Sequence, residues 1–152
     1  MCGIVGVLSL DEQHHVTNKT LVNMTDIMSH RGPDGEGFFF GREVDESFLG
    51  DLRLERPAAI VEFKKQGRPI SLGHRRLSII DLDAKAGQPM SNQDGSIWIV
   101  FNGEIYNHKE IRIDLEKIGY QFNTDHSDTE TIIYAYEEWG IDAIHRFRGM
   151  FA

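Results

Sequence analysis

The chain commits to a strand almost from its first residue. Ile4-Val5-Gly6-Val7-Leu8 is a short, almost wholly apolar run, which reads as a buried strand. A strand that begins there fixes the position of whatever precedes it. What precedes it is Cys2, the one cysteine in 152 residues, directly behind Met1. Once a methionine aminopeptidase removes Met1, a thiol and a free α-amine belong to the same residue. That is a nucleophile with its own general base, the cysteine counterpart of a hydroxyl activated by an N-terminal amine. The reference pKa of an α-amine is about 7.7–8.0, so a good fraction is unprotonated near neutrality. While Met1 remains, that nitrogen is part of a peptide bond and cannot accept the proton, so the unprocessed chain is expected to be inactive. The plainer reading is an inert buried thiol, and position alone does not exclude it.

A length of 152 residues suits one domain, and 40% apolar residues can fill a core. A single cysteine rules out an intramolecular disulfide framework and a zinc site with several thiolate ligands, and it suits a reducing cytoplasm. The net charge of −8 opposes nucleic-acid binding, and the small Lys64-Lys65-Arg68 cluster does not offset it. No apolar run approaches the ~20 residues of a membrane span, and no signal peptide is visible. These features predict a soluble, acidic, cytoplasmic domain with no nucleic-acid or membrane partner.

Further along, Thr17 opens a helical pattern carried by Leu21, Met24, Ile27 and Met28, which stops at His30-Arg31-Gly32-Pro33. Gly37 to Phe40 reads as a strand and Phe48 to Leu54 as a weaker one. Residues 55–70, bracketed by two prolines, read as a surface insertion or hairpin. Leu72 to Ile80 is extended, and residues 84–92 form a loop. Ile97 to Phe101 reads as a strongly buried strand. Asn107 and Glu110 make a capping-box pattern ahead of Ile111, Leu115 and Ile118, with Gly119 as the stop. Ser127 and Glu130 make a second one ahead of Ile132, Ile133 and Tyr136, closed by Gly140. A short helix over 141–147 and the start of a strand at 149–152 complete a mixed α and β pattern. The sequence ends there without a polar tail, which leads to the expectation of a fragment.

Four clusters besides Cys2 could carry chemistry. His30-Arg31-Gly32-Pro33-Asp34-Gly35-Glu36-Gly37 lacks the spacing of a phosphate cradle and also suits a helix stop followed by a turn. Arg75 and Arg76 are adjacent on an extended segment, so they point to opposite faces. One can lie at the surface while the other reaches inward to a carboxylate, which the planar guanidinium grips bidentately. Asn102-Gly103 is a strong hairpin signal, because both residues tolerate positive φ. The same pair also offers a side-chain amide and an unobstructed backbone N–H, the ingredients of an oxyanion hole. Ser127-Asp128-Thr129-Glu130 caps a helix, and a carboxylate there could also bind an ammonium group. His14-His15 reads as solvated. Asp81 and Asp83 lack companions to complete a metal shell, so no metal is expected.

Taken in order, Met1-Cys2-Gly3-Ile4-Val5-Gly6, His30-Arg31-Gly32-Pro33-Asp34, Gly73-His74-Arg75-Arg76-Leu77-Ser78-Ile79, Asn102-Gly103-Glu104-Ile105-Tyr106-Asn107 and Ser127-Asp128-Thr129-Glu130 resemble the class II glutamine amidotransferases. The resemblance is nearest to the N-terminal glutaminase domain of the glutamine-dependent asparagine synthetases, and it runs through Arg148-Gly149-Met150-Phe151-Ala152. It implies an αββα sandwich of the N-terminal nucleophile hydrolase type over residues 1–152, incomplete at the C-terminal end, with the synthetase domain absent. It implies Cys2 as the nucleophile that hydrolyses L-glutamine through a thioester. Asn102 and Gly103 become the oxyanion hole, Arg76 the grip on the α-carboxylate and Asp128 the partner of the α-ammonium. Leu77, Ile79, Ile80 and Glu104 match other pocket positions, and Arg31 has a supporting role. No cofactor is implied for the glutaminase step. ATP and magnesium belong to a C-terminal or separate synthetase domain that would use the ammonia, and a homodimer is compatible.

Two alternatives stand beside this reading. One is the amidotransferase domain of a hexosamine-phosphate synthase, a phosphoribosyl amidotransferase or a glutamate synthase. The other is a non-catalytic, truncated glutamine-binding or assembly module. The segment 55–70 is longer than the family pattern leads one to expect.

Overall fold

A computed structural model describes residues 2–9, 17–40, 70–77 and 87–152, together with the backbone of 58–62. It is an α+β structure in two compact units, one within residues 1–78 and 87–89, the other within 79–86 and 90–152.

The first unit is built on a four-stranded sheet. Its strands are β1 (Gly3–Leu8), β2 (Gly35–Phe40), β3 (Ala58–Glu62) and β4 (Ile70–Arg76), in the order β1-β4-β2-β3. β4 runs antiparallel to both β1 and β2, and β3 runs parallel to β2. Helix α1 (Asn18–Ile27) covers one face. Thr17 starts it as the sequence predicts, its hydroxyl accepting from the Thr20 N–H at 3.2 Å. A Cβ placed on Gly3 would touch Met28, and one on Gly73 would strike Thr25. The odd-numbered positions of β1 and β4 therefore face the helix, and the even-numbered ones face away. The core on the helix side is Val5, Leu21, Phe38 and Phe40, with Val7, Val22 and Met28 packed against it. Phe38 and Phe40 are fully buried. Burial of each such ring contributes about 1.5–3 kcal/mol.

The second unit holds two short antiparallel ladders, β5 (Met90–Ser91) with β6 (Trp98–Ile99) and β7 (Gly103–Ile105) with β8 (Gly149–Phe151). Helices α2 (His108–Lys117) and α3 (Asp128–Trp139) and a 3₁₀ helix over Gly140–Arg146 supply most of its core. Phe101, Ile105, Ile111, Leu115, Ile133, Tyr134, Ala135 and Ala143 are buried together. Gly140 follows α3 at φ +58°, the left-handed conformation that glycine adopts without cost. Among the described residues no helix is long and apolar enough to cross a membrane.

Several expectations are corrected. Asn102-Gly103 is no hairpin. Gly103 opens β7, whose partner is the distant β8, and no positive φ occurs there. Residues 58–62 add a parallel strand to the first sheet, so this part of the 55–70 segment is no hairpin. The predicted strand 97–101 shrinks to Trp98–Ile99, and of residues 97–101 only Phe101 is buried, the others being half-buried. On α1 the sheet-facing residues are Leu21, Val22, Thr25 and Met28, while Met24 and Ile27 are exposed. Ile118 is also exposed, and on α3 it is Tyr134 rather than Tyr136 that is buried. The segment 48–54 lies outside the described residues.

Candidate active site

Four of the predicted residues gather at one end of the first sheet. β1 pairs with β4 at Gly3↔Arg75 and β2 with β4 at Gly35↔Arg76, so one step further along the register Cys2 lies opposite Arg76. Both are even-numbered positions on the face away from α1. The Leu77 N–H donates to Cys2 Sγ at 3.4 Å, and the Leu77 carbonyl lies 3.9 Å from the same sulfur as an acceptor for the thiol. Arg31 donates from Nε to the Cys2 carbonyl at 3.3 Å.

The loop from Arg31 to Asp34 braces the same strand end. The Asp34 N–H donates to the Arg76 carbonyl at 3.0 Å. Gly32 sits so close that any Cβ would collide with the Arg75–Arg76 backbone. A larger residue there would push the loop off Arg76 and loosen Arg31 from Cys2. The turn predicted from Gly and Pro is thus a strut under Cys2.

The two arginines divide as strand alternation requires. Arg75 reaches inward beneath α1, where Nη1 meets Glu36 Oε2 at 2.7 Å and Nη2 meets Asp26. Its Nε donates to the Thr25 carbonyl at 3.3 Å. Both Arg75 and the Glu36 side chain are more than nine-tenths buried. Sequence reasoning left open which arginine turned inward and missed both carboxylate partners.

The second unit gathers Asn102, Gly103, Glu104 and Asp128. Asn102 and Ala152 exchange both backbone hydrogen bonds at 3.0 Å, and the Tyr106 N–H donates to the Arg148 carbonyl at 2.7 Å. Antiparallel pairs alternate between bonded and non-bonded, so the N–H groups of Gly103 and Ile105 point away from β8. The Ile105 N–H is taken by Asp128 Oδ2 at 3.0 Å. The Gly103 N–H points to the same side. A Cβ on Gly103 would fall on the backbone of Met150 and Phe151. Glu104 is exposed.

Asp128 is the first residue of α3, and Ser127 caps that helix by accepting from the Glu130 N–H at 3.2 Å. The capping box is only half formed. The buried Glu130 carboxylate instead accepts from the backbone N–H groups of Asn123 and Thr124, at 2.7 and 2.9 Å. This folds the preceding loop against the helix start. His108 begins α2 nearby. Burial holds its imidazole pKa below 6.5, outweighing the opposing pull of Asp128. Ile79 and Ile80 lie outside the described residues. Among the described residues no group of three or more His, Cys, Asp or Glu is arranged to hold a metal ion.

This chain belongs to the glutamine amidotransferase domain family, whose model matches residues 1–70 and 57–152. Its relatives carry the name asparagine synthetase (glutamine-hydrolyzing). One from Bacillus subtilis, numbered 1, is 38% identical over the whole of this chain and 20% of its own length. A probable one from Dictyostelium discoideum is 33% identical over the whole chain and 22% of its own length, and one from Arabidopsis thaliana is 32% identical over the whole chain and 21% of its own. The chain therefore spans about a fifth of the length of these curated relatives.

Proposed function

We propose that this domain hydrolyses L-glutamine to glutamate and ammonia through a thioester on Cys2, and that the ammonia feeds an ATP-dependent amidation of the asparagine synthetase type. After Met1 is removed, the Cys2 α-amine takes the thiol proton and sulfur attacks the side-chain amide carbon. The C–S bond forms, the proton passes to the departing nitrogen, and the C–N bond breaks to release ammonia. Water then attacks the thioester and frees glutamate and the thiol.

Free glutamine is a zwitterion, so specific recognition needs a cation and an anion held apart from the reacting amide. Arg76 grips the α-carboxylate and Asp128 takes the α-ammonium. Asp128 commits Oδ2 to the Ile105 N–H, which fixes the direction of its carboxylate. The Asn102 side chain and the Gly103 N–H stabilise the oxyanion. Leu77, Ile79, Ile80 and Glu104 shape the pocket, and Arg31 holds the Cys2 backbone.

The observation that carries this reading is the placement of Cys2 at the open end of β1, its sulfur held by the Leu77 main chain and Arg76 opposite it on the same face. The αββα sandwich of the N-terminal nucleophile hydrolases is the fold this chemistry calls for, over residues 1–152. The glutaminase step needs no cofactor. ATP and magnesium are assigned to the synthetase partner, C-terminal or separate, and to no residue here. A reducing cytoplasm, where a free thiol persists, is the compartment that fits. The test is ammonia release from the processed chain. Cys2→Ala should abolish it while leaving the circular dichroism spectrum unchanged, and undiminished release from that variant contradicts the proposal.

A further inference from the structure

Asn107 is the last residue of the Asn102–Asn107 motif, and its spacing to Glu110 predicts a helix cap. It does not cap α2, because its side chain makes no bond to that helix. Its Nδ2 donates to the Arg146 carbonyl at 2.9 Å, and its Oδ1 accepts from the Arg148 N–H at 2.8 Å. One side-chain amide thus binds the backbone on both sides of Phe147, where the 3₁₀ helix ends and the chain turns into β8. The Tyr106 N–H, adjacent in sequence, bonds the Arg148 carbonyl.

We infer that Asn107 is a positioning residue for the oxyanion site, fixing the register of β8 on β7 and with it the direction of the Gly103 N–H. The inference rests on the glutaminase reading for its link to catalysis. The mechanics are independent of that reading. A two-strand ladder of three residues per strand has little to pin its register. A slip by one residue requires one of the two strands to turn over, and turning β7 would swing the N–H groups of Gly103 and Ile105 toward β8 and take the latter from Asp128. Asn107 prevents it by matching one donor and one acceptor to two main-chain groups that only the observed register presents. Neither aspartate nor leucine, though similar in volume, can supply both.

The experiment combines kinetics with amide hydrogen exchange. Asn107→Ala should lower kcat for ammonia release about 100-fold, the scale of an ångström-sized misplacement of a catalytic group. KM for glutamine should rise by less than about tenfold, because Asp128 loses only the Ile105 N–H that orients it and Arg76 is not held by Asn107. The amides of Tyr106 and Ala152 should exchange faster, while those of α2 keep their protection. Asn107→Asp, which retains the acceptor for the Arg148 N–H, should recover part of the loss. Unchanged kcat overturns the inference. So does uniform acceleration of exchange that includes α2, which marks a merely structural residue. Exchange can also be measured in the Cys2→Ala background, where no turnover is needed. A wild-type chain without ammonia release defeats the functional proposal, while the ladder amides still decide the role of Asn107.

Discussion

Two neighbouring arginines should respond to substitution in opposite ways. Arg75→Met removes the cation that neutralises Glu36 beneath α1, where the Glu36 side chain is only 7% exposed. Breaking a buried ion pair from one side costs about 3–5 kcal/mol. The bond to Asp26 adds at most about 1 kcal/mol, because that carboxylate is 52% exposed. At roughly 2.1 cal/mol/K per residue, the unfolding entropy of 152 residues is about 0.3 kcal/mol/K. A loss of about 4 kcal/mol therefore lowers Tm by roughly 12 °C. Thermal unfolding followed by circular dichroism reads this directly. Adding Glu36→Leu should recover most of the loss, because an apolar pair of similar volume replaces a buried ion pair at little net cost. By contrast, Arg76→Ala should leave Tm nearly unchanged and raise KM for glutamine about 10–150-fold, the value of a charge-assisted hydrogen bond. A Tm drop under about 3 °C for Arg75→Met, with no recovery in the double variant, would refute the assignment of Arg75 as the buried anchor. A large Tm drop with normal KM for Arg76→Ala would make that residue structural instead.

Two further outcomes follow from the second unit. Asn102→Ala should lower kcat about 100–1000-fold with little change in KM, the cost of losing one oxyanion donor, and a change in KM alone removes Asn102 from that role. His108 has a folded pKa below its unfolded value of 6.5, so the unfolded chain binds the proton first as pH falls. Its contribution to stability is complete above pH 6.5 and is lost as pH drops toward the folded value. His108→Gln should therefore flatten the stability profile between about pH 7 and pH 5 in urea titrations, and an unchanged slope there contradicts the assignment.

Local signals in the sequence were legible wherever local chemistry decides. The apolar run after Cys2 is β1, Thr17 and Ser127 cap their helices, and Gly140 closes α3. Strand alternation also separated Arg75 from Arg76. It did not say which one turned inward, because that depends on the face of the sheet that α1 covers. Asn102-Gly103 misled for the same reason. A tight turn and a strand start look alike until the partner is known, and here the partner is Gly149–Phe151. Asn107 and Glu130 each read as members of capping boxes. Their side chains instead bind backbone outside their own helices, Asn107 to residues 146 and 148 and Glu130 to residues 123 and 124. Side-chain amides and carboxylates take the best-placed partner that tertiary structure offers, and spacing along a helix does not reveal it. The motif containing Gly32 was visible, but its purpose came only from the Arg75–Arg76 backbone lying against it.

The proposed chemistry requires sulfur at position 2 to form a covalent bond to the glutamine side chain. Mass spectrometry of the processed protein, acid-quenched during turnover with glutamine and digested to peptides, tests it most directly. The expected product is an N-terminal peptide beginning at Cys2, without Met1, carrying one γ-glutamyl group in a hydroxylamine-labile bond. Ammonia release from a protein that retains Met1, or an acyl group found on any other residue, would contradict it.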